Sequence, residues 1–167
     1  MGGSAESKGY AEKAIVLVWN NLVEAVVNNN YAAKDAVMEG AYWAGKAINI
    51  SKTTASHALS YNMTSLFNVP HGHAVAITLV NVMKVNYDYA KEDIQQILSL
   101  ISAEDLSDGV LKIKNFWYQI GLCMKLSQLG IEESQISKLS NCNLERLKNN
   151  PALLSKDFIE KLFRSLI

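Results

Sequence analysis

Only two prolines, Pro70 and Pro151, interrupt the 167 residues of this chain, and that scarcity constrains its fold more than any other feature. Proline breaks a helix by removing an amide donor and clashing with the preceding turn, so a chain nearly free of it has room for long helices. Apolar residues fill that room at helical spacing. Ala11, Ile15, Val18, Leu22 and Ala25 recur every three or four positions behind Ser4, a suitable N-cap, which predicts a first helix running to about Asn28. Asn28-Asn29-Asn30 then breaks it. A second helix is expected over about 32–47. Its small residues (Ala32, Ala33, Ala36, Gly40, Ala41, Ala44, Gly45) would let a neighbour approach closely, which places it centrally. Asn49 to Lys52 reads as a short connection.

A third helix is expected from near Thr53 to near Leu66, and Phe67-Asn68-Val69-Pro70 reads as a turn. Pro70 suits the start of a fourth helix, about 71–85. Ala74, Val75, Ala76, Ile77, Leu79, Val80, Val82 and Met83 make it apolar nearly all round, so it should be buried on most sides. Shorter helices are expected at about 91–102, 106–121, 132–140 and 155–166. The last takes Ser155 as N-cap, with Asp157 in its first turn and an apolar face of Phe158, Ile159, Leu162, Phe163 and Leu166. No period-2 strand pattern, internal repeat, low-complexity tract or linker appears. The expected fold class is all-α, a single helical bundle domain over residues 1–167.

Composition excludes several functions. Sixteen basic and sixteen acidic residues give a formal charge of zero, so no nucleic-acid footprint is expected. The longest apolar stretches, Ala14–Trp19 and Ala74–Val80, are far too short to cross a bilayer. Met1–Lys8 is polar and has no apolar segment behind it, so no signal peptide is expected and the chain reads as cytoplasmic. Cys123 and Cys142 have no zinc-ribbon or CxxC spacing and read as buried or incidental thiols, with a disulfide between them left open.

The chain has three histidines, His57, His71 and His73, all within seventeen residues of one another at the junction of the third and fourth helices. Tyr61 lies one turn beyond His57 on the same face, with Thr53, Ser60 and Thr64 near it. Ala55, Leu59, Met63 and Leu66 occupy the opposite face. An inner helix with a polar seam needs partners for that seam. His71 opens the fourth helix, and a helix N-terminus suits a neutral imidazole, the form that binds metal. Gly72 would let the backbone turn closely beside a ligand. From spacing alone, metal binding and simple hydrogen-bonded burial both remain open, because two histidines without carboxylates make an incomplete site.

Several segments together resemble the iron-containing alcohol dehydrogenase family. Ala44-Gly45, with His57 twelve residues on, looks like the stretch leading to the family's first C-terminal metal histidine. Ala55 to Tyr61 resembles its A-H-A-x-A-H helix, and Val69 to Ala76 its P-H-G-x-A-x-A signature. Gly121 to Ile131 and Asn150 to Ile159 resemble two further family segments, in the right order. The resemblance implies the C-terminal helical half of such an enzyme, in the dehydroquinate synthase-like fold class with about seven to nine helices. It also implies an absent N-terminal half that binds NAD or NADP.

By that resemblance His57 and His71 are metal ligands. The family's remaining aspartate and histidine belong on a helix upstream of Met1. Iron(II) is implied, and zinc could use the same donors. Tyr61 stands where many members carry a second histidine near the nicotinamide, so it reads as a catalytic or cofactor-contacting group, or simply as packing. His73 reads as a site group or as a satisfied histidine near the helix start. Lys52 falls where the family often has glycine, and with Thr53 it reads as a contact for an anionic substrate or as a surface lysine in a turn. Phosphonoacetaldehyde-reducing members look similar in this Ser51-Lys52-Thr53-Thr54 stretch. The implied function is a metal-dependent reduction of small aldehydes or oxidation of small alcohols, with this region inactive alone and self-associating. A stand-alone helical assembly module and a glycerol-dehydrogenase-like relative are the alternatives.

Overall fold

The structure, a computed structural model, describes residues 3–167. Met1 and Gly2, which open the polar segment weighed above as a leader, lie outside the described residues. Eight α-helices run in order: α1 (Ala5–Val27), α2 (Tyr31–Ser51), α3 (Ala55–Phe67), α4 (His71–Asn86), α5 (Lys91–Leu100), α6 (Leu106–Gln119), α7 (Ile136–Ser140) and α8 (Lys156–Arg164). Three short 3-10 turns accompany them, and no strand occurs among the described residues. The all-α expectation therefore holds. Two compact units are distinguished: the chain up to Lys52 with Lys91–Leu122, and Thr53–Ala90 with Cys123–Ile167.

In the first unit α1 pairs along its length with α2. Ser4 caps α1 as its sequence suggests, its Oγ accepting the Ser7 amide at 3.1 Å. Asn30 caps α2 through Ala33. The small residues of α2 do let it approach closely, but at one point. A Cβ built on Gly40 would lie 2.8 Å from Val18 Cγ2 and 3.3 Å from the Ala14 carbonyl. Elsewhere the expectation of a central helix fails, for only Ala33, Gly40 and Ala47 are buried. The expected connection at 49–52 is also corrected: α2 continues through Ser51, whose hydroxyl donates to the Ala47 carbonyl at 2.9 Å. Nothing in Asn49-Ile50-Ser51 removes a donor or demands a turn. The α5–α6 hairpin closes through Gly109, where a Cβ would overlap Leu98 Cδ2 at 2.1 Å.

In the second unit α3 and α4 pack against each other and are joined by a short turn with Asn68 in the left-handed region, φ 54°. Leu59, Met63, Ile77, Leu126, Ile131, Ile136, Leu139, Ile159 and Phe163 are fully buried there. Each such side chain contributes about 1.5–3 kcal/mol by leaving water. Helix α3 starts at Ala55 rather than near Thr53, with Thr54 as the N-cap. Leu66, assigned to its apolar face, is instead 54% exposed near the C-terminal end of the helix. Helix α8 matches its expectation: Ser155 Oγ accepts the Phe158 amide at 3.1 Å, and Ile159, Leu162 and Phe163 are buried. The expected helix at 132–140 begins as a 3-10 turn over Glu133–Gln135.

A buried amide pair ties this unit together. Asn150 and Asn86 exchange reciprocal side-chain hydrogen bonds at 2.7 and 3.0 Å. Asn150 Nδ2 also donates to the Ala152 carbonyl at 2.8 Å, and its Oδ1 accepts the Ala55 amide at 3.4 Å. Next to it, Asn149 donates to the Thr53 carbonyl at 3.0 Å. The start of α3 is thus held from a segment almost a hundred residues further along the chain. Both cysteines are free, and Cys123 is exposed rather than buried. Burial raises the thiol pKa of the half-buried Cys142, which keeps it protonated and inert.

Candidate metal centre

Helices α3 and α4 bring two imidazoles together. His57 sits in the first turn of α3, half-buried, and His71 is the first residue of α4. Their ring centroids are 5.4 Å apart with planes tilted by 59°. The local reason is the tight α3–α4 turn: Asn68 reverses the chain in the left-handed region, and Pro70 sets the first residue of α4 back against α3. His71 itself is exposed at the start of α4.

The spacing suits a shared cation. A metal–nitrogen bond of about 2.1 Å, with roughly 1.2 Å more to the ring centre, puts two tetrahedrally related imidazoles about 5.4 Å apart. Burial, and after it the neighbouring His71, hold the pKa of His57 below its ordinary 6.5, so it stays a neutral donor. Two donors are all this region offers, since among the described residues no group of three or more His, Cys, Asp or Glu side chains could hold a metal ion. The pair by itself offers two nitrogen donors, too few to complete a metal site.

Ser60, with 0% exposure, lies between the two histidines. Its hydroxyl donates to the His57 carbonyl at 2.8 Å, and its Oγ is 3.3 Å from His71 Nδ1. Tyr61 projects from the same turn, 42% exposed, with its ring centroid 6.0 Å from that of His71. The guanidinium of Arg146 stacks over the Tyr61 ring at 4.2 Å. Sequence reasoning missed Arg146 altogether. It sits in an irregular stretch with no periodic signal, and only the fold carries it to Tyr61.

The remaining candidates are placed as follows. His73 Nε2 meets the Cys123 carbonyl within hydrogen-bonding distance, which favours the satisfied-histidine reading. Lys52 ends α2 with φ 65° and ψ −172°, and its ammonium donates to the Asn49 carbonyl at 3.3 Å. Thr53 lies just before the N-cap of α3, its carbonyl held by Asn149. Gly72 is exposed on the first turn of α4, and a Cβ there would meet nothing within 4 Å. Two buried hydroxyls near the histidines, Ser56 Oγ and Thr64 Oγ1, have no hydrogen-bond partner.

Comparison with known proteins gives one consistent pattern. The model of the C-terminal region of the Fe-containing alcohol dehydrogenase family matches residues 6–167. The 1,3-propanediol dehydrogenase of Klebsiella pneumoniae is 26% identical over 92% of this chain and 43% of its own length. A phosphonoacetaldehyde reductase of Streptomyces viridochromogenes is 36% identical over 56 residues, 34% of this chain and 14% of that protein. The crystal structure of a sulfoacetaldehyde reductase from Bifidobacterium kashiwanohense in complex with NAD+ superposes with a TM-score of 0.88 at 28% identity, covering 99% of this chain and 44% of that one. The chain thus spans less than half the length of these relatives.

Proposed function

We propose, from the premise that this chain belongs to the Fe-containing alcohol dehydrogenase family as its C-terminal helical region, that His57 and His71 supply two of the ligands of a catalytic divalent metal. The observation that carries this reading is the 5.4 Å separation of the two rings across the α3–α4 turn. The remaining ligands and the nucleotide site would come from the part of the protein that matches the rest of its relatives. Iron(II) is the favoured metal, zinc the alternative, and NAD or NADP the electron carrier. When bound, the metal supplies Lewis-acid polarisation of a carbonyl or alkoxide oxygen, and the nicotinamide supplies hydride.

This chain's own residues bind and orient. His57 and His71 present ring nitrogens as donors. Ala55, Leu59, Met63, Ala74 and Ile77 form the dry packing behind them that fixes the two helices. Tyr61 offers a phenol beside His71, placed to hydrogen-bond a substrate or cofactor, and Arg146 keeps its ring from swinging. His73, tied to Cys123, positions the first turn of α4 rather than a proton.

The substrate class we favour is a small aldehyde bearing an anionic group. Lys52 holds a backbone conformation that only glycine adopts without strain, and strain of this kind clusters at functional sites. Thr53 follows it in the chain; separately, Arg146 places a cation over the Tyr61 ring. Two relatives act by name on phosphonoacetaldehyde and sulfoacetaldehyde, both of this class. The isolated chain is inactive on this reading. It also self-associates, because α2 exposes Tyr31, Met38 and Tyr42 at 77%, 69% and 60%. Sedimentation showing a monomer at every concentration would count against that.

The test is metal content. In the full-length protein His57→Ala and His71→Ala should each strip iron or zinc at equal fold stability. Unchanged metal in either variant means the ligand assignment is wrong.

A further inference from the structure

We infer that Ser60 is a positioning residue that fixes His71 in the Nδ1–H tautomer and so leaves the Nε2 lone pair for a metal. The argument rests on which atom owns each proton. Ser60 has one hydroxyl hydrogen. At 2.8 Å from the His57 carbonyl, two oxygens must have that hydrogen between them, since a carbonyl cannot donate. The Ser60 oxygen therefore faces His71 Nδ1 with a lone pair, at 3.3 Å. A lone pair on each side would repel, so Nδ1 carries hydrogen and donates it. In a neutral imidazole the other nitrogen is then the acceptor.

The arrangement is built rather than incidental. Ser60 is fully buried, so no water competes for its oxygen. Its hydrogen goes to the backbone of the very residue that carries the other imidazole. One hydroxyl thus links the main chain under His57 to the ring of His71, and it sets both the tautomer and the ring's rotation. A neutral histidine side chain in water favours the opposite, Nε2–H tautomer, in which the outward nitrogen could not accept a metal. An outer partner of this kind changes metal affinity by about 10- to 100-fold when removed. Alanine, the smaller side chain that the related helix motif carries at this position, cannot supply the oxygen.

The experiment is long-range 1H–15N correlation NMR of the metal-free 167-residue chain at a pH where the imidazoles are neutral, followed by titration with Zn2+ alone. The wild-type chain should show a pyrrole-type nitrogen at His71 Nδ1 and a pyridine-type nitrogen at Nε2. Ser60→Ala should reverse the two while His73, bonded elsewhere, keeps its pattern, and should weaken Zn2+ binding at least tenfold. A wild-type His71 with hydrogen on Nε2 overturns the inference without any variant. So does a Ser60→Ala chain that keeps the wild-type tautomer. The affinity arm alone rests on the metal reading. Zn2+ that perturbs neither His57 nor His71 would defeat that reading, while the wild-type tautomer would still uphold the role of Ser60.

Discussion

Replacing Lys52 by glycine should stabilise this protein, although it removes a side chain and adds nothing. Lys52 closes α2 at φ 65° and ψ −172°, a region where a Cβ collides with the backbone and which glycine alone enters freely. Its amide is committed to the Ile48 carbonyl at 2.9 Å, so the chain cannot relax by rotating away without losing the end of the helix. Strain of this kind costs about 1–3 kcal/mol. Glycine relieves it but adds about 0.5–1 kcal/mol of freedom to the unfolded chain. The exposed contact between the ammonium and the Asn49 carbonyl contributes little. The net gain should be about 1 kcal/mol, or roughly 2–4 °C in Tm for a chain of this size. Thermal unfolding followed by far-UV circular dichroism measures it, with Lys52→Ala as control. Alanine loses the ammonium and keeps the Cβ, so it should remain strained. If glycine proves no more stable than alanine, the backbone argument fails. On the proposed function, the same glycine variant in the whole protein should lose kcat/KM for anionic aldehydes selectively, and equal loss on neutral ones would end the anion reading.

Asn150→Ala should cost about 3 kcal/mol, since it leaves Asn86 Nδ2, the Ala152 carbonyl and the Ala55 amide without partners at about 1 kcal/mol each. Urea unfolding should also show Asn86→Ala and Asn150→Ala to be strongly non-additive, and simple addition would argue against a coupled pair. Gly40→Ala should destabilise by about 1–3 kcal/mol because its Cβ meets Val18 Cγ2 at 2.8 Å. Gly45→Ala, on the same helix with open space around it, should stabilise by up to about 1 kcal/mol, and a shared sign for the two would refute this packing of α1 on α2. His57 should titrate below 6.5 in the metal-free chain. The unfolded state then takes up a proton that the folded state resists, so this group lowers stability as pH falls through 6.5 and has no effect well above it. An NMR midpoint for His57 at or above 6.5 would contradict the burial argument.

Local chemistry alone determined much of this protein. The shortage of proline, the helical spacing of apolar residues, and the caps at Ser4 and Ser155 all act within one or two turns, so they can be read from neighbours in the chain. His57 and His71 stood out in the sequence, but fourteen residues of helix can span about 20 Å, so their approach to 5.4 Å rests on how the turn through Asn68 and Pro70 sets α4 back against α3. Tertiary structure decided the rest. Whether the small residues of α2 met a neighbour depended on where α1 lay, and only Gly40 found a tight contact. The hold of Asn150 on the start of α3, and of Arg146 on Tyr61, join residues more than eighty positions apart. No local pattern specifies such a pair, since its energy exists only after the intervening chain has folded and excluded the water that would otherwise occupy those groups.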